Sequence, residues 1–210
     1  MIVSYHFCIY NTELYYIVKF NLPVGVKIEI GGISMEKLKL VLPDHKYKLQ
    51  YLDFIKECKK DIQANGFEYC IPISTDDTID RDIITLTNRQ KRVNLSNGWV
   101  PESVLWMVDE SKNHIMGSVS IRHRLTDSLK FRGGHIAYYI KPSERNKGYA
   151  TKMLSLALKY CKETLNIDKV LITCSKDNIY SAKTILNNGG ILHCEDMDNK
   201  EKIQRYYIYL

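Results

Sequence analysis

The feature that most constrains this chain is a strand, a tight basic loop and a helix start that follow one another. Residues 138–151 read YYIKPSERNKGYAT, and the strand ends at Pro142, which has no N–H to donate to a sheet. The first backbone N–H groups of a helix lack partners and carry partial positive charge, so this helix start predicts an anion-binding site. Gly148 has no Cβ and lets an anion approach the backbone, and Ala150 keeps the approach open on the next turn.

Charge supports a small anionic ligand better than a nucleic acid. Arg145 and Lys147 add positive charge at the rim of the predicted site. The net charge of the chain is only +6, and its basic residues do not form a block with interleaved aromatic residues. We therefore expect no nucleic-acid partner, because a small anion explains the modest basic excess.

Composition indicates an ordinary globular protein of 210 residues, with 45% hydrophobic and 26% charged residues. No apolar run is as long as a membrane span, and the first residues do not resemble a secretory signal. The six cysteines are spread along the chain and form no C-x-x-C pair or other metal-ligand spacing, which predicts neither a metal site nor disulfides. We expect a reduced, cytoplasmic setting.

Residues 1–34 differ from the rest of the chain, being rich in Tyr, Ile and Val with few charges. They are either an N-terminal β extension or the product of a start placed upstream of a natural one at Met35. In the second case, Gly31 and Gly32 are a translated ribosome-binding site. Both alternatives stay open, and the main domain is predicted to span residues 35–210.

The order of predicted elements defines the fold class. Helices are predicted at 44–65, from Asp80 to about Leu95, from the basic loop to about Leu165, and at 179–188. Strands are predicted, in chain order, at 37–42, 104–108, 115–121, 135–140, 170–174, 191–194 and 206–210. An antiparallel meander followed by alternating strands and helices predicts an α/β (α+β) fold with a mixed, mostly antiparallel central sheet flanked by helices.

Three further motifs surround the Arg-x-x-Gly-x-Ala pattern that begins at Arg145. A hairpin strand containing Ile-Met-Gly-Ser-Val precedes it, Asn178-x-x-Ser181 follows it, and Asn188-Gly189-Gly190 comes next. In this order the motifs resemble those of the GNAT (GCN5-related N-acetyltransferase) superfamily, whose fold binds acyl-CoA. The resemblance covers roughly residues 37–210 and looks like an uncharacterised bacterial branch of predicted acetyltransferases.

The resemblance implies acetyl-CoA as co-substrate, without a metal. Ile140 is expected to present its backbone to the pantetheine arm, and Asn178 to hydrogen-bond the pantetheine or the acyl end. Arg145 and Lys147 are expected to lie beside the phosphates. The pyrophosphate is expected to bind the backbone amides of Asn146, Lys147, Gly148, Tyr149, Ala150 and Thr151.

The chain departs from the family pattern where the chemistry is expected. Many members carry a general-acid tyrosine seven residues after the position of Asn178, and this chain has Ile185 there. His135 and Tyr139, on the strand before the motif, are the candidate catalytic residues. A histidine that satisfies nearby backbone and a core tyrosine are the alternatives for these two positions.

These observations predict an N-acetyltransferase that moves an acetyl group from acetyl-CoA to an amine by direct attack. The acceptor is expected to be a small molecule or peptide, and the protein a monomer or homodimer that does not bind membranes. A catalytically silent acyl-CoA binding or sensing module is the alternative, which the missing tyrosine favours. An aminoacyl-tRNA donor is a further rival, which the dispersed charge disfavours.

Overall fold

The computed structural model describes residues 37–65, 71–91 and 99–210, together with the backbone of two strands near the N-terminus. The chain divides into two compact units, residues 1–34 and 35–210, which we describe separately. In the first unit, β1 (Tyr5–Tyr10) and β2 (Glu13–Val18) form an antiparallel hairpin. The Gly31–Gly32 pair and Met35 lie outside the described residues, so the nature of the first 34 residues stays a prediction.

The second unit contains a sheet of four antiparallel strands. In chain order, which is also their order in space, these are β3 (Leu38–Val41), β4 (Glu102–Asp109), β5 (His114–Arg122) and β6 (Ile136–Ile140). Almost every residue of β4 and β5 is buried, because helices cover both faces. The predicted hairpin, third strand and fold class are confirmed.

A second sheet has the order β7-β9-β8 and contains β7 (Lys169–Ser175), β8 (Ile191–Asp198) and β9 (Glu201–Tyr209). The hairpin of β8 and β9 is longer than predicted, since the strands continue up to a tight turn at Asn199, whose φ is +55°. Charged residues fill this extension, so hydrophobic alternation does not reveal it.

The described part of the chain contains five α-helices, and apolar spacing predicts all but the third, which buries no residue. They are α1 (Lys48–Asn65), α2 (Ile79–Asn88), the short α3 (Asp127–Phe131), α4 (Tyr149–Glu163) and α5 (Ile179–Leu186). The predicted start of α2 was wrong, because Thr78 takes the N-cap position and Asp80 lies in the first turn. A 3₁₀ turn extends α2 to Lys91, and residues 92–95 of the predicted helix lie outside the described residues.

The helices form two cores on opposite faces of the sheet. On one face, α1 and α2 cover β4, and the ring of Tyr51 stacks on Trp106 with 4.4 Å between centroids. On the other face, α4 buries one apolar stripe against residues of both sheets, and Leu154 at its centre is fully buried. Helix α4 therefore joins the two sheets through a single core.

The two sheets meet at the start of β6. The N–H of His135 donates to the carbonyl oxygen of Leu171 at 2.7 Å, and the N–H of Leu171 donates to Nδ1 of His135 at 2.9 Å. A Cβ on Gly134 would lie 2.5 Å from the Leu171 oxygen, so only glycine permits this approach. In the described part of the chain, no helix is both long and apolar enough to cross a membrane.

Leu154→Ala is expected to lower the free energy of unfolding by about 2–5 kcal/mol, because it opens a cavity where α4 contacts both sheets. Urea unfolding followed by circular dichroism measures this loss. Lys159→Ala, on the exposed face of the same helix, is the control and should change stability little. Equal effects from the two variants would contradict the packing described for α4.

Acidification is expected to destabilise the protein through two histidines. Burial lowers the pKa of both His123 and His135, and the charge of Arg122 acts in the same direction on His135. The unfolded chain therefore binds more protons than the folded one as pH falls through the ordinary histidine pKa of about 6.5, so stability falls with it.

One variant tests whether His135 contributes to this pH dependence of stability. His135→Asn keeps an acceptor for the Leu171 N–H but does not titrate, so the loss of unfolding free energy between pH 7.5 and 5.5 should be smaller in this variant. An unchanged pH dependence would show that His135 does not contribute.

Candidate functional site

The start of α4 presents a run of backbone N–H groups, those of residues 146–151, which we call the amide run. No described residue accepts a hydrogen bond from any of them, and the first bond of this turn is from the Lys152 N–H to the Gly148 carbonyl oxygen at 3.1 Å. Asn146 and Gly148 have φ of +61° and +79°. Such left-handed residues turn successive N–H groups toward one side, which makes a concave anion-binding surface.

An open strand edge lies beside the amide run. The N–H of Lys141 donates to Met116 on β5, and pairing alternates along an antiparallel ladder. The peptide groups of Tyr138 and Ile140 therefore face away from β5, toward the side of β7. Among the described residues of β7, backbone bonding to this strand occurs only at its start, through His135. The Ile140 carbonyl accepts from the side chain of Arg145 at 3.2 Å.

Hydrogen bonds join α5 and the residues after it to both the amide run and β6. The side-chain amide of Asn188 donates to the Thr151 carbonyl oxygen at 3.2 Å and to that of Thr184 at 2.9 Å. The hydroxyls of Tyr138 and Ser181 hydrogen-bond at 3.0 Å. The amide run, the open edge of β6 and the start of α5 thus border one site.

Asn178 is the N-cap of α5. Its Oδ1 accepts from the Ser181 N–H at 3.0 Å. The cap uses only the oxygen, so the side-chain nitrogen keeps its capacity to donate to a ligand. The predicted cofactor role of Asn178 is compatible with the cap and stays a prediction.

The basic rim side chains are paired with carboxylates. Nη2 of Arg145 donates to Oδ2 of Asp61 at 2.5 Å, and its guanidinium lies 5.2 Å from the ring centroid of Tyr139. Nζ of Lys147 donates to Glu144 at 3.0 Å. Both basic side chains are thus held by carboxylates in this structure, and the predicted places of Arg145 and Lys147 beside the phosphates stay predictions.

Of the two predicted catalytic residues, His135 immediately precedes β6 and Tyr139 lies near its end, and they make different contacts. Because Nδ1 of His135 accepts from a backbone N–H, the proton of the neutral ring is on Nε2, and the ring contributes to joining the sheets. The Tyr139 phenol donates to Asp61 at 2.7 Å, and burial and that carboxylate raise its pKa. Catalytic roles for His135 and Tyr139 stay predictions.

Tyr138 is a site residue that was not predicted. Side chains alternate along a strand, so it points to the face opposite Tyr139 and reaches the start of α5. Burial raises the pKa of its phenol, while the hydrogen bond with Ser181 lowers it. Ile185, at the position where the family often has tyrosine, is fully buried in the core. The sequence could have indicated Tyr138, because adjacent tyrosines on a strand face opposite sides and only one of them can point the way Tyr139 does.

The carboxylates that contact the loop before α4 were also not predicted. Asp53, Glu57 and Asp61 stand four residues apart on α1, which places them on one helix face. We call them the acidic row. Among residues 37–65, 71–91 and 99–210, no three histidine, cysteine, aspartate or glutamate side chains lie close enough together to hold a metal ion.

Comparison with known proteins identifies the family. The sequence matches the family described as "Acetyltransferase (GNAT) domain" over residues 61–191, and it matches no curated protein sequence.

Solved structures of similar fold include the microcin C7 self-immunity acetyltransferase MccE in complex with acetyl-CoA and AMP. The two sequences are 18% identical, the TM-score is 0.56, and the alignment covers 83% of this chain and 93% of that one. The ribosomal L7/L12 α-N-protein acetyltransferase RimL, in complex with coenzyme A, is 15% identical with a TM-score of 0.60, covering 83% and 94%. The ribosomal-protein-S5-alanine acetyltransferase of Vibrio fischeri is 14% identical with a TM-score of 0.59, covering 82% and 91%.

The structural likeness at these identities concerns the fold, and the family match spans more than half of the chain. The match includes the amide run, β6 and α5, the elements that border the site. This chain is a member of the GNAT acetyltransferase family.

Proposed function

We propose that this protein transfers an acetyl group from acetyl-CoA to an amine acceptor by direct attack of the amine. The observation that carries the proposal is the amide run at residues 146–151, with the open edge of β6 beside it. A pyrophosphate needs several donors at one place, and a helix start supplies them without any side chain.

The residues present fit coenzyme A along its length. The amide run, with the Thr151 hydroxyl, is suited to the pyrophosphate. The peptide groups of Tyr138 and Ile140 that face away from β5 are suited to the amides of the pantetheine arm, as a strand edge pairs with an extended chain. Asn178 offers its side-chain nitrogen from the start of α5.

When bound, acetyl-CoA supplies a thioester carbonyl that a neutral amine can attack. The protein then contributes mainly by positioning the acceptor and by placing a backbone N–H of the β6 edge against the developing negative charge. Such donors are already oriented by the pairing of β6 with β5, so they need no rearrangement during the reaction.

Tyr138 is our candidate for the proton donor. Ile185 is buried and cannot take this role, whereas the Tyr138 hydroxyl lies at the start of α5, hydrogen-bonded to Ser181. Its pKa lies above the ordinary tyrosine value of about 10, so the phenol is protonated at neutral pH, as a donor to a departing thiolate must be. The acceptor is an amine of a small molecule or a peptide.

A catalytically silent module that binds acyl-CoA is the second candidate, because Ile185 replaces the usual acid. Release of free thiol from acetyl-CoA, measured across a panel of small amines and peptides, separates the two. The proposed transferase releases thiol with at least one acceptor in proportion to acetylated product. Tight binding of acetyl-CoA with no release on any acceptor would favour the module.

Gly148→Glu is expected to abolish binding of acetyl-CoA, because it puts a carboxylate and a Cβ against the amide run. Isothermal titration calorimetry measures the affinity, and circular dichroism checks the fold. Gly189→Glu is a matched control, since Gly189 has nearly the same φ, +80°, and an added Cβ would meet nothing within 4 Å. Unchanged affinity in Gly148→Glu would refute the proposed cofactor site.

Tyr138→Phe is expected to lower kcat about 10²-fold while leaving the affinity for acetyl-CoA nearly unchanged, because only the hydroxyl is lost. Tyr160→Phe is the control, as its hydroxyl also lies near a serine, 3.3 Å from Ser103, but on the far part of α4. Equal kcat values for the two variants would exclude Tyr138 as the proton donor.

A further inference from the structure

The acidic row of α1 contacts alternate residues of the segment that leads from β6 to the amide run. Nζ of Lys141 lies 3.0 Å from Oδ2 of Asp53 and 3.3 Å from Oε2 of Glu57. Carboxylates at every fourth position of a helix share a side. The facing segment is a single 3₁₀ turn, Pro142–Glu144. Lys141, Ser143 and Arg145 therefore contact the row in order along α1.

Glu57, at the centre of the row, makes the most specific contact. Its Oε1 accepts from the Ser143 backbone N–H at 2.7 Å, and its Oε2 accepts from the Ser143 hydroxyl at 3.0 Å. One carboxylate thus holds both the backbone and the side chain of a loop residue. Burial tends to raise the pKa of Glu57, but these bonds and the charge of Lys141 hold it below its usual range.

The two ends of the row contact different basic residues, Lys141 and Arg145. Lys141 is buried, with 5% of its side chain exposed, so its charge depends on Asp53 and Glu57 for compensation. At the other end, Asp61 accepts from both Arg145 and Tyr139, at 2.5 and 2.7 Å. Arg145 is the last residue before the amide run, and its contacts with Asp61 and with the Ile140 carbonyl fix where that run begins.

We propose that the acidic row, Asp53, Glu57 and Asp61, positions the amide run for coenzyme A, with Arg145 acting as the anchor of the loop instead of as a phosphate ligand. The inference rests on the proposed function. The loop has few other restraints on this side, because Arg145, Asn146 and Lys147 are exposed. A loop held in its bound shape spares the ligand the cost of ordering it.

Electrostatics and positioning make opposite predictions for these carboxylates. Removal of a negative charge near an anion-binding site should strengthen binding of coenzyme A if only charge matters. It should strengthen binding further if freed Arg145 turned to the phosphates. If the acidic row positions the loop, the same removal weakens binding.

The test is calorimetric titration of coenzyme A into the wild-type protein and four variants. Glu57→Ala and Asp61→Ala should each weaken affinity by about tenfold, since the loop must then be ordered by the ligand. Glu57→Gln should keep most of the affinity, because an amide oxygen still accepts from the Ser143 N–H. Glu144→Gln, which removes a carboxylate of the same loop that contacts Lys147, is the charge control and should bind as well as the wild type or more tightly.

Steady-state kinetics adds a readout that a general loss of stability would not produce. Glu57→Ala and Asp61→Ala should raise KM for acetyl-CoA by the same factor as the dissociation constant, with kcat at saturating donor close to that of the wild type. Thermal unfolding verifies that both variants are folded at the assay temperature. If Glu57→Ala does not fold, Asp61→Ala and Glu57→Gln carry the comparison.

Two results would contradict the positioning role, and they differ in what they imply for the proposed function. Wild-type binding with equal or tighter binding by the alanine variants would overturn the positioning role and leave the proposed function standing. Failure of the wild-type protein to bind coenzyme A would overturn the proposed function, and this inference with it.

Discussion

Burial of α4 against both sheets is the constraint on which the site depends. The helix packs its apolar stripe on residues of β5 and β6 in one sheet and of β7 and β9 in the other. The position and direction of its first turn follow from that packing. The amide run therefore faces a fixed direction, toward the edge of β6 that β7 leaves open beyond His135.

The site as proposed consists largely of backbone. Its donors are the N–H groups of residues 146–151 and the outward peptide groups of β6, and the named side chains mainly hold this backbone in place. Asn188 ties the first turn of α4 to α5, and Glu57 holds Ser143 in the loop before it. A site made of backbone groups suits an acyl donor, acetyl-CoA, that a whole family shares, while other parts of the chain recognise the acceptor.

Much of this arrangement could be predicted from the sequence, because it is local. Pro142, Gly148 and the apolar spacing after them identify a strand, a turn and a helix start within a few residues of each other. The acidic row could not be predicted in the same way, since its members lie 78 to 88 residues before their partners in the chain. Hydrophobic periodicity predicts which face of α1 is buried, but not which loop its exposed carboxylates meet. The pairing of Arg145 with Asp61 was missed for this reason, because charge beside a glycine turn suggested only a phosphate ligand.

The most direct measurement is a crystal structure of the protein with coenzyme A. The account predicts pyrophosphate oxygens at about 3 Å from backbone nitrogens within residues 146–151, with hydrogen-bond geometry. It also predicts the pantetheine arm along the open edge of β6, at Tyr138 and Ile140, and Arg145 still paired with Asp61. A pyrophosphate bound elsewhere, or held by side chains with the amide run left in contact with solvent, would contradict it.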